Sequence, residues 1–376
     1  MQLGVLTCEL KPTHGWARYS VDLLTALHRA GVQLTVLASA SSPTDFPFRV
    51  LPILPEVVPA PRFLPPRLGL CIPASWAALR HTDLVHTLVE PFSHLGATVA
   101  GRRPHLISAH GTYAALPTLA HRLSRPVFAR TFRRAAAIIC TSRYTEGVLL
   151  NSVPEAHTTV IPNGVDAADF AAKVQAAQPF EKSGAVVLCV GAVKPRKGVL
   201  ELISAFDSVR RAHPDARCVV VGNLTGDLAY TGRLLSEITR LGLENHVTLT
   251  GRVSDADLMR WYRTADVFAL PAMNDGPRFE GFGLVYLEAS AAGLPVVGTR
   301  DCGAQEAILD GETGLLVNQT GVIEELAAAL THLIESPALR AKLGERGRVH
   351  AAAQTWERAA QAFITVYEEA LRSRRA

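Results

Sequence analysis

Short apolar runs alternate with longer amphipathic segments along nearly the whole chain. The runs are rich in Val, Ile and Leu, and this alternation is typical of βαβ units and parallel sheets. The first half predicts strands at Leu3–Cys8, Gln33–Ala38, Asp83–Thr87, His105–Ala109, Ala137–Cys140 and Thr158–Ile161. The second half predicts strands at Ala185–Val190, Arg217–Val221, His246–Thr250, Val267–Leu270, Pro295–Gly298 and Gly314–Val317.

The two sets of strands are separated by a turn sequence, Pro162-Asn163-Gly164, and a polar, Ala-rich stretch that ends at Ser183. The chain has 376 residues, more than one hydrophobic core usually serves. We therefore predict an α/β protein with two Rossmann-like, doubly wound domains, residues 1–168 and 169–356. Ligands would contact the carboxyl ends of the strands in a cleft between them.

The tail from Ile323 onward is helical by pattern. Trp356, Phe363 and Tyr367 recur at helical spacing within it. This predicts a C-terminal helix of about residues 357–376 that packs back across the first domain.

Composition indicates a globular protein, with 48% hydrophobic residues and a mean hydropathy of +0.17. Charge is uneven, because residues 1–168 carry 15 Lys and Arg against 9 Asp and Glu, while the remainder carries 23 against 25. The basic half is expected to meet an anionic partner. Aromatic residues total only 6% and no nucleic-acid motif is present, so we expect no nucleic-acid partner.

Location is indicated by the termini and the cysteines. The N-terminus reads as a strand and not as a secretion signal, and Pro and Arg interrupt the most apolar stretch, Phe63–Leu79. The six cysteines are widely spaced, without a Cys-x-x-Cys pair or a His cluster, which predicts no metal site and a reducing compartment. We expect a cytoplasmic protein with no membrane span, at the inner face of a membrane if its basic half meets lipid.

The most informative segment is Asn274–Gly293. It contains Glu280-Gly281-Phe282-Gly283 and then a predicted helix from Leu284. The free amides of a helix start, beside glycines that permit close approach, suit a diphosphate. Glu280 lies just outside the helix and could contact sugar hydroxyls.

Glu288 is the only charged residue of that apolar helix. A buried carboxylate needs hydrogen-bond donors, and a ribose diol would supply two. Alternatively, Glu288 caps the helix or pairs with a neighbouring Arg, which is the commoner fate of a lone helical Glu.

A second segment, Val190–Leu202, contains a strand end, three cations and a glycine that opens a helix. Its cations are Lys194, Arg196 and Lys197. Together with a helix N-terminus they could stabilise a leaving diphosphate. A solvated basic turn is the alternative interpretation.

In the first half, two short segments follow predicted strands. Gly15 lies between the first strand and the first helix, and a single glycine is a weak phosphate motif. His110 follows the strand at His105–Ala109, where either a ligand contact or a structural role is open.

A basic amphipathic stretch precedes Ala135. It could lie on an anionic membrane surface or form a solvated face, and both interpretations stand. Its arginines are Arg122, Arg125, Arg130, Arg133 and Arg134.

These motifs together resemble the family 4 retaining glycosyltransferases with the GT-B fold, and the likeness covers nearly the whole chain. The most specific motif is Glu280 to Glu288 with Glu-Gly-Phe-Gly inside it. The others are Gly15-Trp16-Ala17-Arg18-Tyr19, Val160–Asp166, Lys197-Gly198 and Gly311–Val317.

The resemblance implies a retaining, metal-independent transfer of a hexosyl group from a UDP- or GDP-sugar to a glycan or lipid-linked hydroxyl. It implies catalytic roles for Glu280, Lys197 and His110, with no cofactor beyond the donor substrate. The donor-binding residues it implies are Gly15, Arg196, Val253, Phe282, Gly283, Leu284 and Glu288. Since no side-chain nucleophile emerges, we expect a front-face displacement in which the leaving phosphate assists the acceptor.

Two departures from the family pattern concern the donor. Ala192 stands where the family often has Arg, and Arg196 or Lys194 could replace that cation. The family's Gly-Gly-x-x-Glu loop reads Cys302-Gly303-Ala304-Gln305-Glu306. These changes leave two alternatives open: a non-catalytic nucleotide-sugar or glycan-binding relative, and a GT-B sugar-nucleotide epimerase, which Glu280 and Glu288 disfavour.

Overall fold

A computed structural model describes residues 1–11, 14–57, 64–119 and 124–373. Arg122 of the basic stretch lies outside these ranges. The chain divides into two compact units, Met1–Gly164 with Trp356–Ala376, and Val165–Thr355. The sequence placed the boundary at residue 168, four residues later than this division.

The first unit is built on a seven-stranded parallel sheet in the order β3-β2-β1-β4-β5-β6-β7. Its strands are β1 Gln2–Leu6, β2 Gln33–Ser39, β3 Arg49–Leu54, β4 Leu84–Thr87, β5 His105–Ala109, β6 Ala137–Cys140 and β7 Thr158–Val160. Helices from the connecting segments are α1 Gly15–Arg29, α2 Leu64–Leu79, α3 Ser93–Ala100, α4 Leu116–Leu119, α5 Arg125–Arg134 and α6 Arg143–Ser152.

The second unit repeats this plan with a six-stranded parallel sheet in the order β10-β9-β8-β11-β12-β13. Its strands are β8 Val186–Val190, β9 Arg217–Val221, β10 Val247–Gly251, β11 Val267–Ala269, β12 Val296–Thr299 and β13 Gly314–Val317. Its helices are α7 Ala167–Ala176, α8 Val199–Ala212, α9 Leu228–Arg240, α10 Asp255–Thr264, α11 Leu284–Ala291, α12 Ala304–Ala307, α13 Val322–Glu335 and α14 Pro337–Ala353.

The last helix, α15 Trp356–Ser373, belongs to the first unit, as the sequence predicted. It packs along α1, and Trp356 meets the ring of Tyr19 edge to face. Phe363 and Tyr367 are buried against His86 of β4. Burial of its aromatic face therefore fixes this helix on the first sheet.

Each of the twelve predicted runs overlaps a strand, but the sequence missed β3. Pro52 lies inside it, and a proline normally argues against a strand because it cannot donate to a ladder. β3 is one of the two edge strands of its sheet, so Pro52 is tolerated there. All six cysteines lie within the described residues, and all are free thiols.

Candidate functional site

In the second unit, the two informative segments follow adjacent strands. The Lys197 segment follows β8, the Glu280 segment follows β11, and β8 pairs with β11 in parallel. The strand order reverses between these two strands, which is where open α/β sheets characteristically bind ligands.

Glu280 is the meeting point of the two segments. Its Oε2 accepts a hydrogen bond from Lys197 Nζ at 2.5 Å and another from Arg196 Nη1 at 2.9 Å. Burial alone would raise the pKa of the Glu280 carboxyl, but the two cations outweigh burial and hold that pKa below its ordinary value. The group is therefore a buried carboxylate that orients two positive side chains.

Lys197 and Arg196 each have more N–H donors than their hydrogen bonds to Glu280 and its loop use. A lysine ammonium has three N–H donors and a guanidinium five. Among the described residues, the hydrogen bonds recorded for Lys197 Nζ reach Glu280 alone, and those of Arg196 reach Glu280 and the Phe279 carbonyl. The remaining donors can bind an anion without giving up the carboxylate.

Two further cations raise the positive potential around this pair. The pKa of Lys194 lies below its ordinary value, because of burial first and then of the charges of Arg196, Lys197 and Arg278. These four cations face three carboxylates: Glu280, Asp227, and Asp275, which pairs with Arg278 at 3.1 Å. A group in which cations outnumber carboxylates is suited to an anion.

The start of α11 lies beside this cluster. Gly283 is its N-cap residue in the left-handed region, with φ of +82°. A Cβ on Gly283 would also lie 2.5 Å from the ring of Tyr286. Only glycine fits this position. The backbone N–H groups of Leu284 and Val285 lie in the first turn of α11, where amides have no carbonyl acceptor within the helix.

Gly303 packs closely against the backbone of the loop that contains Glu280. Its amide donates to the Glu280 carbonyl at 2.7 Å, and a Cβ there would lie 2.0 Å from the Gly281 carbonyl oxygen. Cys302, which departs from the family pattern, is buried and bonds to Thr299. The glycine that this loop needs for close packing is thus the one that the chain retains.

The other predicted donor residues have different surroundings. Glu288 is buried on α11, where its Oε2 accepts from the Tyr262 hydroxyl at 3.2 Å. Phe282 is buried in the core of the second unit, and Leu284 and Val253, which follows β10, pack against that core. Their donor contacts stay predictions of the resemblance.

The first unit has its own group of polar residues at the carboxyl ends of its strands. Gly15 begins α1 after β1, and His110 follows β5. His110 Nε2 is 2.7 Å from the Leu88 carbonyl, and its ring meets Tyr19 edge to face at 4.2 Å. Burial lowers the pKa of His110 to about 4, so this imidazole is neutral at pH 7.

The proton of His110 can be assigned from its partner. A carbonyl only accepts, so Nε2 carries the hydrogen and Nδ1 is left as an acceptor. The sequence singled out His110 but missed Glu90, whose carboxylate Oε1 accepts from the His110 amide at 2.7 Å. The only sequence signal for Glu90 is its position just after the apolar run at β4.

Cys8, Glu9 and His14 also lie together, each with a potential metal-ligating atom within 4.8 Å of the others. Both ring nitrogens of His14 already have partners. Nε2 is 2.5 Å from Glu9 Oε1, and Nδ1 accepts from the Ala17 amide. These contacts satisfy His14 without an ion.

Within the described ranges, none of the helices has both the length and the apolar character to cross a bilayer.

Comparison with known proteins identifies the family. Residues 13–169 match the sequence model of Glycosyltransferase Family 4, and residues 171–350 match that of Glycosyl transferases group 1. A GDP-mannose-dependent alpha-(1-6)-phosphatidylinositol monomannoside mannosyltransferase from Mycolicibacterium smegmatis is 35% identical over 277 residues, covering 71% of this chain and 70% of that protein. This chain belongs to glycosyltransferase family 4.

One further relative and two solved structures are also similar to this chain, and the structures show the fold alone. A D-inositol 3-phosphate glycosyltransferase from Segniliparus rotundus is 34% identical over 217 residues, covering 57% of this chain but only 47% of that protein. Among solved structures, sucrose-phosphate synthase from Thermosynechococcus elongatus superimposes with a TM-score of 0.79 at 23% identity, covering 99% of both chains. Anabaena HepE in complex with UDP and glucose gives a TM-score of 0.77 at 22% identity, covering 98% of this chain and 99% of HepE.

The family 4 assignment confirms the predicted GT-B fold, with two Rossmann-like parallel-sheet domains. It also confirms that the chain is an enzyme, a glycosyltransferase that uses a nucleotide-sugar donor. The alternative of a non-catalytic binding relative is set aside accordingly.

Proposed function

We propose that this glycosyltransferase transfers mannose from GDP-mannose to a hydroxyl of a phosphatidylinositol-linked glycolipid, with retention of configuration and without a metal ion. The choice of donor and acceptor is supported by the Mycolicibacterium smegmatis relative, whose name gives both. Anabaena HepE binds UDP, but at 22% identity it supports the fold alone.

The cation cluster supports a role in leaving-group stabilisation. The diphosphate of GDP-mannose carries two negative charges, and a further one develops on the departing oxygen as the bond to mannose breaks. Fixed positive groups aimed at developing charge are the largest single contribution in many enzymes. Lys197 and Arg196 are held in place by Glu280 and retain free donors for phosphate oxygens. These side chains would supply the positive charge that a metal ion supplies elsewhere.

Glu280 would also contact the sugar. Both recorded bonds from its cations reach Oε2. Within the part of the chain that the structure describes, these bonds leave Oε1 available to accept from a mannose hydroxyl while Oε2 keeps the cations in place. In the same proposal, the α11 amides bind the diphosphate, Glu288 binds the ribose, and Gly15 and the Nδ1 of His110 contact the donor from the first unit.

Retention would follow from a front-face displacement. A Glu280 carboxylate that two cations already bind is a poor nucleophile. The departing diphosphate oxygen would accept the proton of the acceptor hydroxyl as the glycosidic bond to phosphate breaks and the new bond to the acceptor oxygen forms on the same face. Positioning of the two substrates then supplies much of the acceleration.

The test is transfer by the purified protein. GDP-mannose with phosphatidylinositol monomannoside in detergent should release GDP and yield an α-mannosyl product. The one-bond C1–H1 coupling of the transferred mannose in NMR identifies the anomer. Transfer should persist in EDTA, and UDP-glucose should be a poorer donor. Turnover of UDP-sugars alone would overturn the donor assignment, a β product would overturn retention, and loss of transfer in EDTA would overturn metal independence.

Basic residues of the first unit support peripheral contact with an anionic membrane. Arg102, Arg130 and Arg134 line a groove of about 640 Å³ between α3, α5 and the end of α15. No Asp or Glu is among the described residues that line it. An acceptor in a lipid bilayer would be reached more easily by a protein held at that surface.

A further inference from the structure

Glu90 lies just after β4 and is completely buried. Its Oε1 accepts the backbone N–H of His110 at 2.7 Å. The backbone amides of His110 and Gly111 both favour the ionised form of the carboxyl group and lower its pKa. Its Oε2 is buried without a hydrogen-bond partner among the described residues. A buried polar atom without a partner is costly, so its retention calls for an explanation.

The segment that contains Glu90 holds His110 at two points. The Leu88 carbonyl accepts from the imidazole Nε2 at 2.7 Å, and the Glu90 carboxyl accepts from the His110 amide at 2.7 Å. The Tyr19 ring then closes one side of the imidazole. Ring and backbone are both fixed, and Nδ1 is the ring atom left to accept.

We propose that Glu90 is a positioning residue for sugar transfer, because its buried carboxyl group fixes the turn that presents the Nδ1 of His110. The proposal rests on the proposed function, in which His110 contacts the donor sugar. Glu90 itself is too buried to touch a substrate.

The surroundings of Glu90 also make its charge sensitive to pH. Tyr19 of α1 and Cys140 of β6 interact electrostatically with Glu90. Burial raises the pKa of both side chains, so both are neutral at pH 7. His110 is neutral as well. Burial, partly offset by the backbone amides, raises the pKa of Glu90 to about 7. An ionised carboxylate is a stronger acceptor for the His110 amide than a neutral carboxyl group.

The experiment compares Glu90→Gln, Glu90→Ala and Glu155→Gln, the last being an exposed carboxylate of the same unit paired weakly with Arg133. Gln keeps an acceptor for the His110 amide but does not titrate. We expect Glu90→Gln to lower kcat about 3- to 10-fold at pH 8 and to abolish a rise in wild-type kcat between about pH 6 and 8. Glu90→Ala should lower kcat at least about 30-fold, while GDP affinity stays within about 2-fold in every variant.

A second readout is independent of activity. In wild-type protein the amide resonance of His110 should shift with a midpoint near pH 7, the pKa of its acceptor. The shift should be absent in Glu90→Gln and unchanged in Glu155→Gln. If wild-type protein transfers no sugar, the proposed function fails, and this shift still tests the contact.

Three results would overturn the positioning role: wild-type kcat in Glu90→Ala, an unchanged pH profile in Glu90→Gln, or a His110 amide that shifts alike in wild-type protein and Glu90→Gln. If Glu90→Ala does not fold, Glu90→Gln and the amide shift decide the question.

Discussion

Three side chains, Lys197, Arg196 and Glu280, make up the best-defined part of the site. The sequence singled out all three as candidates: Lys197 and Glu280 through the family resemblance, and Arg196 as one of three cations in Val190–Leu202. It could not show that both cations bond the same carboxylate oxygen, since 83 residues separate Lys197 from Glu280 in the chain. Glu90 was missed for a related reason: its importance arises from burial and from a backbone amide 20 residues away.

Lys197→Ala removes the cation closest to Glu280. We expect transfer to fall about 10²- to 10³-fold, the usual loss when one fixed donor to developing charge is removed. Initial rates with GDP-mannose measure this. Lys342→Ala, which removes an exposed lysine from α14 of the same unit, is the control and should keep wild-type rates. Equal rates in the two variants would exclude Lys197 from the phosphate site.

The raised pKa of Glu90 predicts a pH dependence of stability. Its folded-state pKa of about 7 exceeds the ordinary 4.5, so the folded state holds the proton more tightly than the unfolded state. This contribution is fully present below about pH 4.5 and is lost as the pH rises through about 7. Relative to Glu90→Gln, the free energy of unfolding of wild-type protein should fall by up to about 3 kcal/mol over that range.

Urea unfolding at several pH values measures this difference, with Glu155→Gln as the matched control. A constant difference from pH 4.5 to pH 8 would show that folding does not raise the pKa of Glu90.

At the scale of elements, the alternation of apolar runs was sufficient to locate twelve strands, and the terminal aromatic spacing located α15. Both depend on local patterns that the sequence displays directly. The sequence pattern did not predict β3, because Pro52 is acceptable only on an edge strand. Which strands lie at the edges depends on the strand order of the folded sheet.

A buried hydrogen-bond network also connects α15 to the rest of the first unit. Tyr367 of α15 lies 2.8 Å from His86 Nδ1, and His86 Nε2 lies 3.0 Å from Ser108 Oγ, which in turn lies 3.0 Å from the Tyr19 hydroxyl. These hydrogen bonds thus join α15 to β4, β5 and α1. His86 is neutral, because burial holds its pKa well below the ordinary value.

Tyr367→Phe should therefore destabilise the protein by about 1–3 kcal/mol, since His86 Nδ1 would be left buried without its partner. Urea unfolding at pH 7 measures the change. Thr365→Ala is the control on the same helix, because its exposed hydroxyl bonds only within α15. A Tyr367→Phe variant as stable as the control would mean that packing alone holds α15.

At the scale of the whole molecule, charge separates the two halves of the chain, with a net +6 over residues 1–168 and −2 over the rest. Composition gave this asymmetry directly. It could not give the location of the basic groove, because Arg102 precedes β5 while Arg130 and Arg134 lie on α5. Folding brings these distant positions to one surface of the first unit.

If that groove binds an anionic membrane, the protein should sediment with phosphatidylserine vesicles at roughly 0.05 M salt and be released at roughly 0.5 M, since salt screens exposed charges. Replacing Arg102, Arg130 and Arg134 by Gln should abolish sedimentation. The matched variant replaces Arg263, Lys342 and Arg346, three exposed cations of the second unit, and loses the same charge. It should still bind, because local charge in the groove would be responsible. Equal loss in both variants would make net charge the cause, and binding by both would place the contact elsewhere.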